Sequence, residues 1–179
     1  MRHQILITGI GGQGVLFLTK LLATAALVKG EEVFAYEIHG MSQRGGSVFS
    51  SLKIGPFQSS QLFPGEVDTL FALEGPEVFP YLNYLKPGGR IVLNPSRLTP
   101  ADLEWLAGTG LNVFAYDADA DALRLGQPRV ANLILLGQFL RQRSFELDDA
   151  AVLEALRRIV KPKLFEENRR AFNGESVNR

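Results

Sequence analysis

A short β-rich apolar run that ends in a cluster of glycines and passes straight into an apolar helical segment constrains this chain more than any other feature. Gln4 to Ile10 reads as a buried first strand, and Val15 to Lys29 as a helix that closes at Gly30. Such a β-turn-α unit feeds a parallel sheet, and the rest of the chain keeps the alternation. Val33 to Ile38 predicts a second strand. Ser47 to Ile54 predicts a third, with Val48, Leu52 and Ile54 on one parity. Val67 to Leu73 is a further strand. Pro76 opens a helix to Leu85, with proline at a position where helices accept it. The turn Lys86-Pro87-Gly88-Gly89 precedes a strand at Arg90 to Leu93. A short helix at Asp102 to Leu106, a strand at Leu111 to Tyr116 and helices at Arg129 to Arg141 and Asp148 to Val160 complete the pattern. The polar stretch after Lys161 is either a solvated helix or a segment that a partner orders. The expectation is an α/β, Rossmann-like three-layer domain with a mostly parallel sheet and a helical C-terminal segment.

Length and composition narrow the class. The 179 residues suit one domain over 1–179, with 161–179 as a tail. Nineteen basic and nineteen acidic side chains cancel, which argues against a general nucleic-acid binder. The chain has no cysteine, so it can supply no disulfide, thiolate metal site, catalytic thiol or iron–sulfur ligands of that type. Two histidines, His3 and His39, make a multi-histidine metal site improbable. The apolar run Val15 to Val28 falls short of the ~20 residues a membrane span needs. A cytoplasmic protein without a leader is expected. The first helix is apolar nearly all round, so either the fold or a partner must cover it on two sides.

Chemistry concentrates in two loops. Gly9-Ile10-Gly11-Gly12-Gln13-Gly14 satisfies G-x-G-x-x-G between a strand and a helix. No Ser, Thr, Asp or Asn stands at the helix cap, so the first-turn amides suit a phosphate or pyrophosphate. The same glycines would also serve a merely tight strand–helix turn. Glu37, near the end of the second strand, sits where a ribose-binding acid would stand, or is simply solvated. The second loop, His39 to Ser47, offers Arg44 for an anion, Ser42 and Gln43 as neutral polar groups, and Gly45 and Gly46 for close backbone approach. His39 is an acid/base candidate or a structural residue. No nucleophile with a base is visible, and no catalytic residue is assigned.

Through these two loops the chain resembles the gamma-type subunits of 2-oxoacid:ferredoxin oxidoreductases, and most of all the small (beta) subunit of indolepyruvate:ferredoxin oxidoreductase. Gly9 to Val15 and Glu37 to Val48 carry the resemblance. Pro64 to Asp68, Tyr84 to Arg90, Val92, Asn94, Asn132, Leu136, Gly137 and Asn168 to Phe172 extend it. The resemblance implies a subunit of an enzyme that oxidatively decarboxylates a 2-oxoacid, here an arylpyruvate such as indolepyruvate, to acyl-CoA with electrons passed to ferredoxin. It implies that Gly11, Gly12, Gln13 and Gly14 face the coenzyme A phosphates. Ser42, Gln43, Arg44, Gly45 and Gly46 would line the coenzyme or the subunit boundary near thiamine. Thiamine diphosphate, Mg and [4Fe-4S] clusters would belong to partner subunits, which bind thiamine and carry the chemistry. The isolated chain would be inactive, a hetero-oligomer being the working form and a homodimer the form open to it alone. Ferredoxin would be an indirect partner, and no membrane or nucleic-acid partner is implied. The competing readings are a stand-alone NAD-binding Rossmann enzyme or sensor that uses Glu37, and an assembly module whose glycine loop holds nothing.

Overall fold

The computed structural model describes residues 1–38, 45–142 and 145–175, the side chains of Glu37 and Ile38 excepted. Among these residues the chain builds β1 (His3–Ile10), α1 (Val15–Val28), β2 (Val33–Ile38), β3 (Ser47–Ile54), β4 (Val67–Ala72), β5 (Leu85–Leu93), α2 (Pro100–Ala107), β6 (Asn112–Ala115), α3 (Ala118–Arg124), α4 (Ala131–Leu140), α5 (Asp149–Ile159) and α6 (Pro162–Asn173). Short 3₁₀ segments cover Gly75–Tyr84 and Pro128–Val130.

The six strands form one sheet in the order β2-β3-β1-β4-β5-β6. β1, β4, β5 and β6 pair in parallel, whereas β3 runs antiparallel between β1 and β2. The sheet is therefore mostly parallel, with β3 inserted where a Rossmann sheet would join β2 directly to β1. β1 is central, and Ile5, Leu6 and Ile7 are all buried, the pattern of a strand covered on both faces.

The alternation along each strand sorts the core into two layers. Ile5, Ile7, Leu52, Ile54, Phe71 and Val92 face a thick helical layer of α1 and α3 to α6. Leu70, Ala72, Ile91 and Leu93 face a thinner layer built from the first 3₁₀ segment and α2. α1 is covered by the fold itself. It lies between the sheet and α5, with Leu18, Leu21, Leu22, Ala25 and Ala26 fully buried and only Leu27 well exposed among its large apolar residues.

Four local departures have physical causes. Gly75–Tyr84 is 3₁₀ rather than α-helical, because Pro80 inside it lacks an N–H and crowds the preceding turn. β5 starts at Leu85, before the expected turn. Val67 pairs with Leu85 and Thr69 with Arg90, so Lys86–Gly89 loop out between two paired positions. α3 occupies a stretch without a readable apolar period. Its Asp/Ala alternation hides a helix started by Asp117, whose carboxylate accepts from Ala120 N–H at 2.9 Å. Finally, α6 is tied down by the chain's own α4, with Ala171 and Phe172 buried.

Candidate functional site

β1 delivers the glycine loop to the carboxyl end of the sheet, where β1 and β4 lie side by side. The chain leaves β1 toward β2 and β3, and leaves β4 toward β5. In open α/β sheets ligands settle in the crevice where the connections diverge in this way.

The structure gives the loop glycines different tasks. Gly14 is the N-cap of α1 at φ 86°, ψ 31°, with no side chain capping the helix. A Cβ on Gly14 would lie 2.2 Å from Asn132 Nδ2, so this glycine lets α1 approach α4. Asn132 Nδ2 donates to Gly14 O at 3.3 Å. A Cβ on Gly9 would meet Gln13 Oε1 at 2.8 Å and Leu73 Cβ at 3.1 Å, again a packing position. Gly12 differs: it is exposed, its φ is +103°, and a Cβ there would meet nothing within 4 Å. Gly11 donates its N–H to Gly46 O at 2.9 Å, which joins the first glycine loop to the end of the second.

Gln13 belongs mainly to the loop itself. Its Oε1 accepts from Ile10 N–H at 2.9 Å, and its Nε2 donates to Glu74. Glu74 is a buried carboxylate at the end of β4, and it also pairs with Arg97. Arg97 is the one described non-glycine residue with positive φ, at 62°. A polar clamp thus holds the loop from below. Leu18 is the first residue of α1 whose N–H returns to the loop, to Gly14 O at 2.9 Å. The amides of the first turn before it point out of the helix end.

Gly12 and Gln13 form one wall of a cavity of about 210 Å³. Asn94 and Asp119 form another, and Arg129 and Asn132 stand at the start of α4. Asn94 Nδ2 donates to Leu73 O at 3.2 Å and to Asp119 Oδ2 at 2.9 Å. Among the described residues the cavity therefore combines a helix N-terminus with one exposed cation, Arg129, and one half-buried anion, Asp119. An anion gains at the Gly12 and Arg129 side, while Asp119 favours a hydroxyl or amine donor opposite.

Of the residues singled out from sequence, Gly11, Gly12, Gln13, Gly14 and Gly46 come together at this edge. Gly45 adjoins them at φ +83° with open space around it. His39, Ser42, Gln43 and Arg44 lie outside the described residues. Glu37 pairs through its backbone with Ser50 on β3. Because β3 intervenes, β2 stands two strands from β1, roughly 10 Å away instead of the usual single spacing of about 5 Å. That displacement does not favour the NAD reading, which needs the acid beside the first glycine loop.

Glu74, Arg97, Asp119 and Arg129 escape the motif reading. Glu74, like Asn94, follows closely on the end of a parallel strand, and strand-end position was the available signal. Among the described residues no group of three or more His, Asp or Glu could hold a metal ion.

Comparison with known proteins identifies the family and the fold. The family model described as pyruvate ferredoxin/flavodoxin oxidoreductase matches residues 4–174. The chain is 33% identical over 186 residues to the indolepyruvate oxidoreductase subunit IorB of Thermococcus kodakarensis, covering 95% of this chain and 92% of that one. It superimposes on the gamma subunit of a keto/oxoacid ferredoxin oxidoreductase from Geobacter sulfurreducens with a TM-score of 0.75 and 26% identity, covering 97% and 96% of the two chains. Pyruvate oxidoreductase subunit PORC of Thermotoga maritima shares the fold, with a TM-score of 0.78 at 21% identity over 97% of this chain and 95% of its own. The chain thus belongs to the pyruvate ferredoxin/flavodoxin oxidoreductase family, among the gamma-type subunits of 2-oxoacid:ferredoxin oxidoreductases.

Proposed function

We propose that this chain is the coenzyme A-receiving subunit of a 2-oxoacid:ferredoxin oxidoreductase that acts on an arylpyruvate such as indolepyruvate. The observation that carries the coenzyme is the open space in front of Gly12 at the uncapped start of α1. Phosphate oxygens placed there meet outward-pointing amides and the guanidinium of Arg129. Ser42, Gln43, Arg44, Gly45 and Gly46 belong in this reading to the same site or to the subunit boundary beside it, since Gly46 already bonds to Gly11. The likeness to an indolepyruvate oxidoreductase subunit supports the aryl substrate.

Thiamine diphosphate, Mg and the [4Fe-4S] clusters are assigned to thiamine-binding partner subunits, which this chain would scaffold. With no cysteine of its own, it can hold no cluster by thiolates. The working form is a cytoplasmic hetero-oligomer, and the chain alone is inactive. The test is Gly12→Val in the reconstituted complex. A β-branched side chain then occupies the phosphate position, and the KM for coenzyme A rises at least tenfold, as about 1.4 kcal/mol of lost binding requires, with assembly intact. Unchanged coenzyme A kinetics in an assembled variant would refute the reading. Binding of NAD to the pure chain, lost in Glu37→Ala and indifferent to coenzyme A, would replace it.

A further inference from the structure

On the face of the sheet opposite α1, the thin layer stops short of β2 and β3 and leaves a groove of about 460 Å³. Strand register makes its floor. Leu6 on β1, Ser51 on β3 and Tyr36 on β2 stand in one cross-strand row. Ser51 is the small member, so the row dips between its two larger neighbours. Phe49 lines the groove two residues along β3 from Ser51, on the same face. Tyr81 and Tyr84 rise from the 3₁₀ segment as one wall. The Phe49 and Tyr81 rings are 5.4 Å apart, and those of Tyr81 and Tyr84 are 6.3 Å apart. The loop carrying Ser59, Ser60 and Gln61 closes the other side, held by Ser51 Oγ donating to Ser60 O at 3.2 Å.

The lining differs in kind from that of the glycine-loop cavity. Four aromatic rings surround the hollow, hydroxyl and amide groups edge it, and none of the described lining residues carries a charge. Tyr36 is 51% exposed, an open aromatic face over the floor. Burial and the carboxylate of Glu77 push the Tyr81 phenol upward, so its hydroxyl stays neutral. A bare phosphate or carboxylate would find no counter-charge here. A flat ring would find stacking surfaces and polar groups for its edge.

We propose that this groove binds a neutral, planar, fused-ring heteroaromatic group, stacked on Tyr36 against the Tyr81–Tyr84 wall with its ring nitrogens toward the Ser59–Gln61 loop. Two molecules could present that chemistry, an adenine from a nucleotide-type ligand or an indole from an aryl 2-oxoacid. The inference does not rest on the coenzyme reading of the glycine loop.

The test titrates the full chain with adenosine and, separately, with indole, and follows ligand signals by saturation-transfer NMR and tyrosine emission. At least one ring binds with a millimolar or tighter dissociation constant, as its atom count allows. Tyr36→Ala weakens that binding about five- to a hundredfold, the range of a lost aromatic stack, and Tyr36→Phe retains it. Gly12→Val leaves it unchanged, which keeps this result separate from the coenzyme test. Adenosine alone binding assigns the groove to a nucleotide, and indole alone to the aryl substrate class; either supports the proposal. No binding by either ring, or binding unaffected in Tyr36→Ala, overturns it. So does a sedimentation profile in which Tyr36→Ala converts a dimer to a monomer, since the groove would then be a self-interface.

Discussion

Gly137→Ala sets two local effects against each other at a place the structure makes decisive. Gly137 is buried within α4, and alanine in a helix interior is favoured over glycine by about 1 kcal/mol. Propensity alone therefore forecasts a more stable protein. But α6 crosses α4 so closely that an added Cβ would stand 1.9 Å from the carbonyl oxygen of Phe172 and 2.9 Å from its carbon. Both partners are backbone, so no side chain can swing aside, and the helices must part by well over an ångström. Parting disturbs Phe172 and Ala171, each 1% exposed, and the 2.9 Å bond from Arg141 Nη2 to Phe172 O. Loosening the burial of a phenylalanine costs about 1.5–3 kcal/mol, and overpacking elsewhere costs about 1–3 kcal/mol. Summed and set against the propensity gain, these costs leave a net loss of about 1.5–5 kcal/mol, or a Tm lower by roughly 3–20 °C for a chain of this size. Thermal denaturation of the full chain measures the sum, and hydrogen exchange reports α6 amides opening ahead of α4. A Tm that is unchanged or raised would refute the reasoning, because propensity would then have outweighed the close approach.

Three further outcomes follow from named groups. Asp119→Asn removes the one acid among the described residues lining the glycine-loop cavity while keeping an acceptor for Asn94. The KM for coenzyme A then falls about two- to tenfold, most at low salt; a rise would place the phosphates elsewhere. His3 is half-buried against Thr69 and the Phe145 ring, and its pKa is lowered from 6.5, desolvation outweighing the carboxylates of Asp68 and Glu146. The unfolded chain takes up that proton first, so stability present above pH 6.5 is lost as pH falls below it. His3→Gln flattens this limb of a Tm-against-pH curve, and an unaltered slope counts against it. Thr99→Ala breaks the capping box with Asp102 and lowers unfolding free energy by about 0.5–2 kcal/mol in a urea titration; no change there would mean that α2 is held by packing alone.

Local pattern made much of this legible. The ranges Val33–Ile38 and Ser47–Ile54 follow directly from alternation and flanking polar residues. The glycine loop announces the carboxyl edge of the sheet because it ends one strand and opens one helix. The long-range facts were not legible. Nothing near Ser47 says that β3 turns back antiparallel between β1 and β2, yet that insertion separates Glu37 from the first loop. The six glycine-loop residues look alike as a motif, although Gly14 answers to Asn132, Gly9 to Leu73 and Gln13 to Glu74, each more than 60 positions away. Gly12, by contrast, looks onto open space.

The amino-acid order by itself determined most of the strands and the helices α1, α2, α4 and α5, the lack of any thiol to ligate a metal or attack a substrate, and the glycine-rich turn between β1 and α1. These depend on periodicity and residue chemistry over a few neighbours. Tertiary structure alone decided strand order, the cover over α1 by α5, the docking of α6 on α4, and which glycine borders open space. Each of those is a contact between segments far apart along the chain, where shape and packing choose among partners that composition cannot tell apart.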